Sequence, residues 1–162
     1  METALILAQT VATGLIAAWL TLGLRDNILH PSMNETYTAE VLSMARMKEA
    51  WPEDYKTVSY RAITDRSLQK LAFRLVVIAE AIACAILWAG VVLLILSLAG
   101  LVMSDTGRTV ALLGATAFTA VWGGFLVVGN HFYYWYCHEG AQNTHYQMTL
   151  WGMGTMILIS LA

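Results

Sequence analysis

Charge is what this chain has least of. Only 12% of its 162 residues are Asp, Glu, Lys or Arg, against about 25% in a typical soluble domain. That deficit makes lipid rather than water the expected main solvent. The net charge of -2 excludes a general electrostatic attraction to nucleic acid. Cysteine is scarce too. Cys84 and Cys137 are too few for a disulfide framework, and Cys84 lies in the middle of an apolar run, so two free thiols are expected. The familiar catalytic signatures are missing. There is no His-Glu-x-x-His, no Gly-x-Ser-x-Gly and no glycine-rich phosphate loop. Nor is there a Cys-x-x-Cys pair or an inverted repeat of helices like that of a transporter. No enzyme assignment follows from these residues.

What the chain has is long apolar runs; 58% of it is hydrophobic. A bilayer core about 30 Å thick needs a helix of about 20 mostly apolar residues. Thr3–Leu24, Leu75–Met103, Val110–Gly129 and Thr144–Ala162 all qualify, and Glu80 is the only Asp, Glu, Lys or Arg inside them. The first run lacks a basic start and a small-residue cleavage site, which reads as a retained anchor. The expected fold is all-α and integral to the membrane. It is a four-transmembrane-helix bundle in one domain over 1–162, with helices over about 3–24, 66–103, 108–130 and 143–162. Small residues at helix-packing spacing suggest close approach at Gly14 and Ala18, at Ala115, Thr119 and Gly123, and at Ala120 and Gly124.

The long first loop, Arg25 to Arg74, carries eight basic and seven acidic residues. Ser32 and Asn34 are candidate caps and Pro52 a stop. Tyr37, Val41, Met44 and Trp51 fall near one helical face. The pattern predicts an amphipathic surface helix over about 34–50, lying on the membrane or packed across the mouth of the bundle. Thr64 or Asp65 is expected to cap the helix that follows.

The polar groups of the runs gather at the end that bears this loop, and the opposite half offers almost none. Buried polar candidates at this mouth are Glu80, Arg74, Thr149 and Gln147. A charged residue within a bilayer costs about 2.5–3.5 kcal/mol on insertion scales, so Glu80 is expected to face inward and find a donor. Depth along the helices nominates the Thr149 hydroxyl or the Trp19 ring N–H, with His145 through a water. Glu80 then either pins helices together or carries a proton. The segment between the last two runs holds His131, Cys137, His138, Glu139 and His145, all metal-ligand types. His131 and His145 flank it and suit a haem; Cys137 and His138 with His145 suit copper or zinc. The run Phe132-Tyr133-Tyr134-Trp135-Tyr136 reads first as an interfacial aromatic belt with hydrogen-bonded histidines, ahead of a metal or haem site. No cofactor is the primary expectation, with haem or copper as the alternative.

Several short stretches are similar to a known family. Val41-Leu42-Ser43-Met44, Arg61-Ala62-Ile63-Thr64, Leu71-Ala72 leading to Glu80-Ala81, and Gly124-Phe125-Leu126-Val127-Val128-Gly129 occur in the order found in DUF2165, a family of small integral membrane proteins. The resemblance runs from the end of the first helix to about Trp135. It implies four transmembrane helices with a long first loop, and no function. The His/Cys cluster over 131–145 lies outside the family pattern. Eight Lys/Arg in the long loop favour a cytoplasmic loop, whereas the resemblance favours both termini in the cytoplasm of a bacterial inner-membrane protein and a periplasmic long loop. The latter is the expectation adopted. The expected role is a non-catalytic accessory or assembly subunit of a larger membrane complex, in contact with lipid and other membrane subunits and not with nucleic acid. The alternative is a redox subunit holding metal or haem over 131–145.

Overall fold

In the four longest helices the buried positions recur every three or four residues, which is the period that puts them on one face. A computed structural model describes residues 1–161. Among the described residues there are seven α-helices: α1 (Glu2–Leu29), α2 (Pro31–Leu42), α3 (Ala45–Ala50), α4 (Pro52–Val58), α5 (Arg66–Leu98), α6 (Ser104–His131) and α7 (Glu139–Ser160). Short 3-10 turns at Ser59–Arg61 and Tyr134–Tyr136 complete the order.

Along α1 the buried face is Ile6, Gln9, Thr13, Ile16, Ala17, Leu20 and Asn27. The opposite face is apolar as well, with Leu7, Val11, Leu15 and Leu22 exposed. The same holds for Ile78, Ile82, Val92 and Ile95 on α5. A helix apolar all round needs a nonaqueous surround. α1, α5 and α6, of 28, 33 and 28 residues, are long and apolar enough to cross a membrane. α7 packs along α6 and α1, but its first half, Glu139–Gln147, is polar.

Between α5 and α6 the backbones themselves come together. A Cβ added at Gly90 would lie 2.6 Å from the Ala111 Cα, and one at Gly114 would lie 2.9 Å from the Leu87 Cα. Gly107 sits against the backbone of Leu93 and Leu94. Position falls along α5 as it rises along α6, so the two helices are antiparallel. Of the small residues singled out by spacing, Ala115 is fully buried, whereas Gly14 and Gly124 have nothing within 4 Å of an added Cβ. Thr119 and Gly123 of that set face α7, against Gly152 and Thr149, and the stripe that meets α5, Gly107, Ala111 and Gly114, was not among the spacings.

Asp65 caps α5, its carboxylate accepting from the Ser67 and Leu68 N–H groups at 2.7 and 3.2 Å. Such a cap contributes about 1 kcal/mol. The expected single helix over 34–50 is instead two. His30 closes α1 and opens α2, and Pro31 takes the first helical position, where its missing N–H costs nothing. Asn34 therefore sits inside α2 rather than capping it. The chain then breaks at Met44, whose φ of 53° is left-handed. That conformation costs about 1–2 kcal/mol for a residue with a Cβ. Burial offsets it: Met44 is 2% exposed and packs with Leu42, Met47 and Phe132 in a second core. The break lets those three loop residues reach one face, which a straight helix would not allow. The loop thus covers the end of the long helices, here called the mouth.

The glycine seam yields a prediction. Gly90→Ala and Gly114→Ala should each destabilise the detergent-solubilised protein by about 1–3 kcal/mol, because backbone stands where the methyl must go. Gly14→Ala should be neutral or slightly stabilising. Denaturant unfolding followed by circular dichroism checks the contrast.

Candidate functional site

Glu80 is 4% exposed, at the mouth end of α5. Its donor is Asn27, whose Nδ2 lies 2.8 Å from Glu80 Oε2. Asn27 Oδ1 in turn accepts from the Asn34 side chain on α2 at 2.6 Å. Three helices are thus tied by two side-chain hydrogen bonds. The expected donors are not used. Thr149 gives its hydroxyl to the His145 carbonyl of its own helix at 2.8 Å, and the Trp19 ring contacts Phe118 and Trp122 edge-on. The reason is length. α1 continues to Leu29 instead of stopping near Leu24, which brings Asn27 level with Glu80.

The other expected site residues are dispersed. Arg74 and Gln147 are exposed, and Thr149 is half-buried. His131 is exposed and lies edge-on to Phe132, its carbonyl accepting from Arg61 at 3.2 Å. Glu139 is exposed. Cys137 packs in the second core, where burial pushes its thiol up, away from the thiolate a metal needs. His138 is 4% exposed and pairs with the Tyr37 hydroxyl at 3.0 Å. Among the described residues no three His, Cys, Asp or Glu side chains come together as a ligand set. The three histidines have separate surroundings: His131 is exposed, His138 meets Tyr37, and His145 lies among aromatic rings. Cys84 and Cys137 are free thiols in separate clusters.

His145 lies among Trp122, Phe125 and Tyr134, with ring centroids 5.5, 4.8 and 5.9 Å away. These residues, with Trp19, Asn27 and Glu80, line a cavity of about 350 Å³ beneath α2. Trp122 Nε1, Tyr134 OH and His145 Nδ1 find no hydrogen-bond partner among the described residues. Burial holds the Tyr134 phenol up to about 12, so it keeps its proton at any physiological pH.

The opposite end, expected to offer almost no polar groups, holds one buried polar tie. Gln9, fully buried, donates to the carbonyls of Leu158, Ile159 and Leu161 at 3.1, 3.2 and 3.3 Å. It accepts from Arg108 Nε at 3.0 Å. These carbonyls belong to the last turn of α7 and the residue after it, where intrahelical donors run out. The signal in the sequence is an uncharged amide, Gln9, inside the first apolar run.

Helices apolar on every face around a few paired polar groups define a small all-helical integral membrane protein. The particular family is also shown: a model of DUF2165, predicted small integral membrane protein, matches residues 5–162, and the chain belongs to that family. No curated protein and no solved structure matches it.

His138 gives the cap over the mouth a pH dependence. Burial holds its pKa below the ordinary 6.5, helped by Arg46, with Glu40 opposing. The unfolded cap therefore binds a proton before the folded one does. The stabilisation is complete above about 6.5 and is lost as pH falls towards the folded value. Proteolysis between α2 and α4 should quicken several-fold from pH 7.5 to 5.5. In His138→Gln that acceleration should shrink.

Proposed function

We propose that α1, α5, α6 and α7 form a four-helix transmembrane bundle, and that the protein is a non-catalytic accessory or assembly subunit of a larger membrane complex. The observation that carries this reading is the cap. Its outer surface combines paired charges, Arg46 with Glu40 at 2.8 Å and Lys56 with Glu53 at 2.7 Å, with exposed Trp51 and Tyr60, 49% and 77% accessible. Aromatics set among balanced charges suit a protein partner more than a charged lipid surface. The polar ties at both ends are satisfied within the chain and leave the apolar helix faces free for lipid or for other helices. α7 supplies the fourth crossing in this reading; its polar first half, Glu139–Gln147, is largely exposed and lies at the mouth end. The bacterial inner membrane, with both termini cytoplasmic and the cap periplasmic, is the arrangement adopted.

Two measurements test the proposal. Single cysteines replacing Lys56, Glu139, Asp105 and Ser160, in a Cys84→Ser, Cys137→Ser background, are labelled with an impermeant reagent. Lys56 and Glu139 should react from one side, and Asp105 and Ser160 from the other. Labelling of Ser160 together with Glu139 would show that α7 does not cross. Purification in mild detergent should bring down other membrane proteins in fixed stoichiometry; a monodisperse single-chain particle would rule out the accessory role.

A further inference from the structure

Glu80 is the one Asp, Glu, Lys or Arg inside the apolar runs, and no cation answers it. It takes part in none of the ion pairs among the described residues, which join Arg25, Arg46, Lys56, Arg66 and Arg108 to other carboxylates. Its Oε2 accepts from Asn27, which brings no charge. Its Oε1 has no hydrogen-bond partner among the described residues. Yet Oε1 is not sealed in by its neighbours, as the unpartnered Trp122 Nε1, Tyr134 OH and His145 Nδ1 are. It therefore keeps open surface, and the space that Glu80 lines is the cavity of about 350 Å³. That cavity has a way in. Gly23 of α1 is on its wall, is exposed, and has nothing within 4 Å of an added Cβ.

The charge balance of the cavity narrows its ligand. No Lys or Arg lines it, and Glu80 is its only acidic residue. An anion would meet a like charge there. An apolar molecule would shut Oε1 away from water with no partner, a costly state for a carboxylate. A neutral hydrogen-bond donor would satisfy the oxygen and leave the charge unbalanced. A metal ion needs several ligands, and no three His, Cys, Asp or Glu side chains come together among the described residues. An organic cation carried on apolar groups meets every condition. Its charge sits at Oε1, and its substituents lie against walls that include Tyr37, Phe73, Val76 and Phe125. A carboxyl that holds a proton while the cavity is empty releases it to water as the cation enters, so the net charge in the membrane is unchanged.

We propose that Glu80 and the mouth cavity form a binding site for a hydrophobic organic cation, a quaternary or protonated amine, which enters past Gly23. The inference concerns binding alone and does not depend on the protein having partner subunits. The probe is radiolabelled benzyltrimethylammonium, followed by equilibrium dialysis against the detergent-solubilised protein. Its competitors are the unlabelled cation, neopentylbenzene, which has the same shape without the charge, and benzyl alcohol, a neutral donor. The cation should bind saturably at one per chain. Only the unlabelled cation should displace it. Glu80→Gln leaves an oxygen for Asn27 and removes the charge. Its thermal unfolding should stay where it is while affinity falls about 10-fold or more, the worth of a charge pair partly withdrawn from water. Gly23→Leu puts a side chain into the open space at the entrance and should weaken binding several-fold without loss of stability. Absence of saturable binding would overturn the proposal. So would displacement by neopentylbenzene or benzyl alcohol at the concentration at which the unlabelled cation displaces. Unchanged affinity in folded Glu80→Gln would overturn it as well. Should that variant not fold, unchanged affinity in Gly23→Leu decides against the site.

Discussion

The hydrogen bond from Asn27 to Glu80 is the constraint on which the mouth depends. A carboxyl group in an apolar interior must be paired or it opposes folding. Pairing with an amide on α1 fixes how α1 and α5 align along their length. Asn34 then extends the tie to α2 and so to the cap. Slide α1 by one turn and Glu80 loses its donor. The cap would lose its anchor in the same step. The register of the long helices and the closure of the cap therefore rest on the same two side-chain bonds.

The rest of the packing is consistent with that alignment. At the far end Gln9 binds the last carbonyls of α7 and receives Arg108, so α1 is held at both ends by amides. Between them the α5–α6 seam brings backbones together at Gly90, Gly107 and Gly114. In lipid, where apolar helices gain little by leaving their surround, close packing and buried polar pairs decide which faces meet. Satellite contacts hold the cap down. Tyr136 donates to Asp54 at 2.8 Å, Arg66 pairs with Glu35 at 2.6 Å, and the Ile63 N–H reaches the Leu42 carbonyl at 2.8 Å.

Much of the helical layout was legible in the sequence, because length and hydropathy of the apolar runs map directly onto helix position. Helix ends were not. Arg25, Asp26 and Asn27 read as loop residues, yet α1 runs through them to Leu29. That error hid the partner of Glu80. The left-handed break at Met44 was equally hidden, since methionine carries no turn signal and its reward is burial against Phe132, far along the chain. The inward position of Glu80 could be inferred from solvation cost alone. The histidines could not be placed that way. Their residue types suggested ligands, and only their separate contacts in the fold show otherwise.

The central claim, that Asn27 and Glu80 together set the packing of the mouth, is tested most directly by a double-mutant cycle in unfolding free energy. Asn27→Leu and Glu80→Leu should each cost about 1–3 kcal/mol, since each leaves a buried polar partner unpaired. The double variant should cost less than the sum by about 1 kcal/mol or more. Costs that add to within about 0.3–0.5 kcal/mol would contradict the account, because the two side chains would then act independently.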